Sequence, residues 1–313
     1  MTYSEPLITI GILSFNAEDC IARAIESALK QDWKNTEVLI VDDASTDNSI
    51  KKIEAYVLGS KKVRFIRHKN NQGCAAARQS VVTHAKGEYI AFFDDDDDNE
   101  TDRLTKQYKR LSRFQKTHPD DPVLCYTHRR VFIDGVERAD AFVRSIGAEA
   151  PEPYGPIVAD CLLWHKKMQG YFWGEMGSCT MMASTRTLRE FGFDSDFRRC
   201  AEWDLAIRVA LQGGYFISVD QPLVIQHKTL TSDKAGRKPL DYALMLRRKH
   251  QEYLKEKRIY RGSILQAYSR FYYFRDKRWK SRAFLILACL VSPAKIMMNE
   301  FAIRMGLSKN IHE

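Results

Sequence analysis

Five consecutive aspartates, Asp94 to Asp98, stand directly after the apolar run Tyr89-Ile90-Ala91-Phe92-Phe93. Adjacent carboxylates repel one another, so a solvated turn gains nothing from such a run. At the end of a buried strand, the same run is a dense set of oxygen ligands for a hard divalent cation. A second acidic pair, Asp42-Asp43, follows the apolar run Val38-Leu39-Ile40-Val41. Two parallel strands that each end in carboxylates point to a nucleotide or metal crevice at the carboxyl edge of an open α/β sheet.

The segments around these runs fit that sheet. Leu7 to Leu13 reads as a first strand, and Ile21, Ile25, Ala28 and Leu29 recur at helical spacing in a helix from about Cys20. Glu37 to Val41 is the second strand. Asp47 is a plausible N-cap for a helix through Tyr56. Val63 to Arg67 is a third strand, Cys74 to Ala85 a helix, and Glu88 to Phe93 a fourth strand. Alternating strands and helices with short links predict a parallel, Rossmann-like sheet. Beyond about residue 115 the pattern loosens. Residues 145–160 read as a loop, 178–183 as a strand, Glu202 to Leu211 as a helix, and 241–282 as basic helix.

Charge divides the chain unevenly. Residues 1–240 hold 33 Lys and Arg against 34 Asp and Glu, whereas residues 241–313 hold 16 against 6. The excess positive charge therefore lies in the C-terminal part, which predicts two parts with different partners. The organisation expected is a catalytic domain over 1–240, with a donor half at 1–110 and an acceptor half at 111–240, then a basic helical region over 241–313. The seven cysteines are widely spaced and include no C-x-x-C pair, as expected of reduced thiols in a cytoplasmic protein. The first six residues carry no basic stretch ahead of the apolar run, so no cleaved signal peptide is expected.

Several pieces fall in order: Ile10-Gly11-Ile12-Leu13-Ser14-Phe15-Asn16, Val41-Asp42-Asp43, Asn71-Gln72-Gly73-Cys74-Ala75-Ala76-Ala77-Arg78, the Asp94 run, and Asp102-Arg103-Leu104. The series resembles the donor-binding half of the family 2 inverting glycosyltransferases, which have the GT-A fold. The match covers roughly residues 7–105 and continues more weakly through Phe191-Gly192-Phe193-Asp194 and Glu202-Trp203-Asp204-Leu205. The resemblance implies a nucleotide-sugar donor, usually a UDP-sugar, and Mn²⁺ or Mg²⁺ as cofactor. It implies that Asp43 reads the donor base, that Phe15 stacks near it, and that Arg78 faces the diphosphate. Asp94-Asp95-Asp96 occupies the D-x-D motif, in which Asp96 holds the metal and Asp94 contacts ribose or metal. Asp97 matches the acid that often follows.

An inverting displacement needs a base for the acceptor hydroxyl. The family's Glu-Asp pair reads Ala201-Glu202 here, which puts Glu202, a Glu where Asp is usual, at the base position and leaves Asp204 as fallback. His227 is a further candidate metal ligand or phosphate contact. Trp164, His165, Tyr171, Phe172 and Trp173 are candidates for a sugar-stacking acceptor wall. Each residue also has a structural alternative: a solvated turn for the aspartates, a helix cap for Asp42 and Asp43, a helix-dipole acid for Glu202, and core packing for the aromatics.

The C-terminal part pairs Phe271-Tyr272-Tyr273-Phe274-Arg275-Asp276-Lys277-Arg278-Trp279-Lys280-Ser281-Arg282 with the apolar run Ala283 to Val291. Nine apolar residues cannot span a bilayer, which needs about 20, but this combination suits a membrane interface. The alternative is a helical subdomain with a solvated basic face. The reading expected is a glycosyltransferase acting on a glycan or lipid-linked acceptor at the cytoplasmic face of the inner membrane. Two alternatives stand beside it. A pyrophosphorylase-like enzyme would carry a Gly-rich loop where Ser14-Phe15-Asn16-Ala17-Glu18 stands. A non-enzymatic membrane or nucleic-acid binding module leaves the carboxylates unexplained, since they repel phosphate, so nucleic acid is not an expected partner.

Overall fold

The computed structural model describes residues 5–133, 135–137, 142–228 and 237–292. The first part of the chain runs β1 (Ile8–Ser14), α1 (Ile21–Leu29), β2 (Thr36–Asp42), α2 (Ser49–Gly59), β3 (Val63–Arg67), α3 (Cys74–His84), β4 (Tyr89–Asp94), β5 (Asp98–Asn99) and α4 (Arg103–Gln115). It continues through β6 (Val123–Ile133), β7 (Val136–Glu137), α5 (Pro156–Trp164), β8 (Met182–Ser184), α6 (Thr185–Phe191), α7 (Ala201–Leu211) and β9 (Tyr215–Lys228). The last helices are α8 (Lys238–Lys249), α9 (Gln251–Glu256), α10 (Tyr260–Tyr273) and α11 (Arg278–Val291). Chain contacts divide these elements into two units: one up to residue 231 without 160–166, the other made of 160–166 and the residues from 232 on.

In the first unit the strands form one sheet in the order β3-β2-β1-β4-β8-β6-β9-β5, with β7 on β6. The strands β3, β2, β1 and β4 are parallel. Every residue of β1 is buried, as expected of a parallel strand covered on both faces. Ile8, Ile10 and Ile12 point to one face, where they pack with Ile21 and Ile25 of α1 and Leu104 and Leu111 of α4. The intervening positions face α3. A Cβ on Gly11 would lie 2.5 Å from Val81, so the glycine lets α3 sit close against β1.

Beyond β4 the sheet becomes mixed. β8 runs antiparallel to β4 and β6, and β6 runs parallel to the long β9 with register shifts at His128. The short β5 pairs antiparallel with β9 at Val224 and Ile225, which brings β9 back beside the aspartate run.

Two expectations are corrected. Residues 145–160 are not all loop, because α5 starts at Pro156, whose fixed φ suits a first helical position. The strand expected over 178–183 is a 3₁₀ turn at Ser178–Thr180 followed by the short β8. Asp47 accepts from the Ser49 amide at 3.0 Å just ahead of α2, although Asn48 holds the cap position.

In the second unit, Leu240 and Leu244 of α8 pack with Ala267 of α10, joined by Ile264 and Phe271. Asp160 is almost fully buried. It accepts from Tyr253 Oη at 2.6 Å and pairs with Lys166 and Lys257 at 3.4 Å. The basic region from 241 is helical through α11, and residues 293–313 of it lie outside the described residues. Among the described residues, no helix is long and apolar enough to cross a membrane.

Candidate functional site

Strand register sets the acids level with one another. Ser14 pairs with Asp42 across β1 and β2, and Leu13 pairs with Asp94 across β1 and β4. β1 connects to β2 on one side while β4 lies on the other. This is the topological switch point, at whose carboxyl edge open α/β sheets bind ligands.

Asp42 and Asp43 have different jobs. Asp42 is fully buried and accepts from the Ser45 amide at 2.9 Å and from the Ser45 hydroxyl, so it braces its own turn. Asp43 reaches across to the turn before α3. Its Oδ1 accepts from the Gln72 amide at 2.9 Å and its Oδ2 from the Gly73 amide at 2.6 Å. Gly73 adopts φ +92°, which a side chain would resist. His68 Nδ1 lies 2.8 Å from Asp43 Oδ1. Phe15 is 47% exposed at the mouth of the crevice, and its amide donates to Asp95 Oδ2 at 3.1 Å.

The aspartate run splits by direction. Asp97 points inward and is 1% exposed; its Oδ1 accepts from the His227 amide at 3.2 Å, and its Oδ2 has no hydrogen-bond partner among the described residues. Asp96 is exposed, and its carbonyl accepts from Arg23 Nη2 at 2.5 Å. Asp98 pairs with Arg23 at 3.3 Å and with His227 Nε2 at 2.9 Å. Ligand atoms of Asp94, Asp97 and Cys179 lie within 4.8 Å of one another. His227, expected beside Asp94 and Asp96, therefore has its ring nitrogen on Asp98, and the cluster formed around Asp94 is completed by Asp97 and Cys179.

Burial and crowding raise the proton affinity of Asp95, Asp96 and Asp97. Burial, with the Asp96 charge next, pushes Asp95 up to about 7. Burial, then Asp94 and Asp96, pushes Asp97 up to about 9. Burial also pushes the Cys179 thiol well up, so its sulfur stays protonated and is a poor ligand for a hard cation. The carboxylates do fit such a cation: an inward oxygen without a partner and a set of mutually repelling acids are what Mn²⁺ or Mg²⁺ neutralises.

Arg78 projects from α3 toward the same place. It is 8% exposed, and its Nη2 lies 3.8 Å from Asp94 Oδ1. Burial works against its charge, but Asp94, Cys74 and Glu202 outweigh that and hold its pKa above the ordinary value. Glu202 sits in the first turn of α7 and is half-buried. Asp204, the fallback base, is fully buried and accepts from Arg208 Nε at 2.9 Å, while Arg208 also donates to the Gly192 carbonyl at 2.7 Å. It is thus committed to anchoring α7 and is closed to an acceptor.

The aromatic candidates differ in burial. Trp164 is buried in α5, whereas Tyr171, Phe172 and Trp173 are half-buried on the segment ahead of the 3₁₀ turn. Arg144 stacks 4.1 Å over Phe172, and Trp173 Nε1 donates to the Met168 carbonyl at 2.9 Å.

Sequence reasoning missed Cys179, Arg23 and His68. Nothing in the local sequence places Cys179 beside Asp94. The signal for His68 was its position directly after β3, the neighbour of the strand that carries Asp43.

A parallel half-sheet extended by a mixed half, with an acidic carboxyl edge and a buried arginine, defines a GT-A type α/β protein. The crystal structure of Staphylococcus aureus TarS 1–349 in complex with UDP-GlcNAc superposes with a TM-score of 0.62 at 17% identity, covering 91% of this chain and 81% of that one. The Pyrobaculum calidifontis mannosyltransferase PcManGT in complex with GDP-Man and Mn²⁺ superposes with a TM-score of 0.58 at 17% identity, covering 98% and 82%. At such identity the likeness is one of fold. The sequence profile of Glycosyl transferase family 2 matches residues 9–142. Over that region the chain is similar to this family. The Escherichia coli UDP-Glc:alpha-D-GlcNAc-diphosphoundecaprenol beta-1,3-glucosyltransferase WfaP is 42% identical over 106 residues, 32% of this chain and 39% of that protein. The chain spans about two fifths of the length of the curated relatives it matches over this region.

Proposed function

We propose that the chain transfers a sugar from a nucleotide-sugar, with a UDP-sugar as donor, to an acceptor hydroxyl with inversion. The observation that carries this reading is the meeting of Asp94, Asp97 and Arg78 at the switch point of the sheet. Support for the donor class comes from the nucleotide-sugar complexes of the two structural neighbours. The name of WfaP supports a lipid-linked glycan as acceptor, in synthesis of a cell-surface polysaccharide. The family match and the absence of a Gly-rich loop after β1 speak against a pyrophosphorylase.

In this reading Asp43 uses the acceptor capacity left on Oδ2 to take a base N–H, and Phe15 covers the base. Asp94, Asp96 and Asp97 are the candidate holders of Mn²⁺ or Mg²⁺, with His227 steadying the run through Asp98. A bound divalent cation supplies positive charge where the nucleoside diphosphate leaves. Arg78 adds a fixed cation on the same side. Glu202 takes the proton of the acceptor hydroxyl as the new bond forms on the opposite face of the sugar. The catalytic region is 1–240, and the chain works in the cytoplasm, on the cytoplasmic face of the inner membrane.

Calorimetric titration of UDP, GDP and dTDP, with and without Mn²⁺, tests the reading directly. Tight UDP binding that requires both the metal and Asp96 is the expected result, with Asp96→Ala as control. Metal-independent or absent binding of all three nucleotides would overturn it. The anomeric configuration of the product, read by NMR, decides between inversion and retention.

A further inference from the structure

We propose that the outward face of α11, with the basic residues around its start, docks the chain on an anionic phospholipid surface. The proposal deepens the reading above by naming what would meet the bilayer, and its experiment reads lipid binding separately from nucleotide binding.

α11 has two opposed faces. Ser281, Leu285 and Ala288 are buried at helical spacing. On the side toward α10, Phe284 stacks on Tyr268 and Tyr272 at 5.1 and 5.5 Å, and Ser269 Oγ donates to the Ser281 carbonyl at 2.8 Å. The other face carries Trp279, Ile286, Leu287 and Leu290, exposed by 71%, 41%, 47% and 73%. A helix that faces only water presents polar residues there. Four large apolar side chains on one stripe are a surface built to be covered.

Charge says what covers it. Lys277, Arg278, Lys280 and Arg282 cluster at the start of the helix, and no acidic residue stands between Asp276 and Glu300. Lys280 Nζ lies 5.2 Å from the Trp279 ring and 5.4 Å from the Tyr272 ring, and Arg278 lies 4.3 Å over Tyr273. Phe274, just past α10, is 74% exposed beside them. Cations layered with amphipathic rings match headgroup depth, where the ring bodies meet acyl chains and the charges meet phosphate. A second copy of this chain would bring the same positive charge against itself, whereas an anionic lipid surface complements it. The helix has 14 residues, too short to span and long enough to lie in the interface.

The test uses the full chain with vesicles of phosphatidylcholine alone or mixed with phosphatidylglycerol. Flotation is expected with the mixed vesicles and to weaken with added salt. Leu287→Glu/Leu290→Glu is expected to cut partitioning at least about tenfold, and each of Arg278→Glu, Lys280→Glu and Arg282→Glu about fivefold or more. UDP binding and the far-UV spectrum should not change in these variants. A second measurement needs no folding assumption about them: lipid should blue-shift the wild-type tryptophan emission, and Trp279→Phe should abolish most of that shift. Flotation unaffected by Leu287→Glu/Leu290→Glu, an emission shift that survives Trp279→Phe, or a lipid-free dimer dissolved by the same substitutions would each overturn the proposal. Nucleotide binding without flotation would overturn docking alone; flotation without nucleotide binding would overturn the donor-site reading alone.

Discussion

His68 bridges two functional elements: its Nδ1 lies 2.8 Å from Asp43 Oδ1, and its Nε2 lies 2.8 Å from Ser80 Oγ on α3. With Nδ1–H given to the carboxylate, Nε2 is left to accept from the serine hydroxyl. The ring is nearly buried, so it ties the end of β2 to the helix that carries Arg78.

Losing that tie should loosen donor recognition more than chemistry. A hydrogen bond to a charged group contributes about 1.5–3 kcal/mol, so His68→Ala is expected to raise the donor KM about tenfold or more. kcat should fall by no more than about threefold, since His68 touches no reacting atom. His68→Asn, which keeps a donor, should recover part of the loss. Steady-state kinetics with the donor varied checks this, and an equal fall in kcat with KM unchanged would sink it.

Glu202 and Asp204 stand two residues apart on α7 and should fail differently. Glu202→Gln is expected to lower kcat by about a hundredfold to ten-thousandfold, the usual range for losing a general base, with UDP affinity unchanged. Asp204→Ala leaves Arg208 without the acid it donates to. That loss should destabilise the fold by about 3 kcal/mol, seen as a lower melting temperature. Full turnover in Glu202→Gln would mean that the base lies elsewhere.

The acid run couples metal binding to protons. Asp97, raised to about 9 by burial and by neighbouring aspartates, must give up its proton to hold a cation, and Asp95 beside it, raised to about 7, loses its own more readily once that positive charge is bound. Mn²⁺ affinity should therefore rise with pH through that interval, with proton release measurable by calorimetry in buffers of different ionisation enthalpy. Both folded values are raised above the unfolded one. Their stabilisation is thus present below the ordinary carboxylate range and is lost as pH rises through 7 and 9. Metal-free protein should melt lower on that rise, and Mn²⁺ should offset the loss. Asp97→Asn should remove its upper part; an unchanged profile would contradict the assignment.

His128 predicts an acid limb. Its ring is 1% exposed, Nδ1 accepts from the Ser145 amide at 3.0 Å, and Nε2 faces Asp220 at 2.8 Å. Burial lowers its pKa, helped by Arg144 and opposed by Asp220. A depressed folded value means stability that is present above the unfolded value of 6.5 and is lost as pH falls through the folded one. Melting temperatures should drop below about pH 6.5, and His128→Gln should flatten that drop. A variant as acid-sensitive as the parent would refute this.

Legibility followed the range of the forces involved. β1, β2 and β4 were readable because burial on both faces leaves nearly continuous apolar runs, and β3 because Val63, Phe65 and Ile66 stand close together ahead of the turn Asn70-Asn71-Gln72-Gly73. α5 was hidden because its Pro156 start lies in a stretch rich in Pro and Gly, whose local chemistry signals loop. Residues 178–183 read as strand, but only Met182–Ser184 forms one, with Met182 and Ala183 paired on both sides.

The sequence by itself determined the parallel half of the sheet, the acids at its carboxyl edge, and the concentration of positive charge after residue 240, because these depend on runs and periods along the chain. Only the tertiary structure decided which carboxylates meet. Asp97 turns inward because β9 returns beside it and donates the His227 amide, and Asp204 becomes a structural acid because Arg208 and the Gly192 carbonyl close over α7. It also decided that the apolar stripe of α11 faces outward, because the opposite face is taken by α10. Each of these choices is made by a partner distant in sequence, and no local pattern records it.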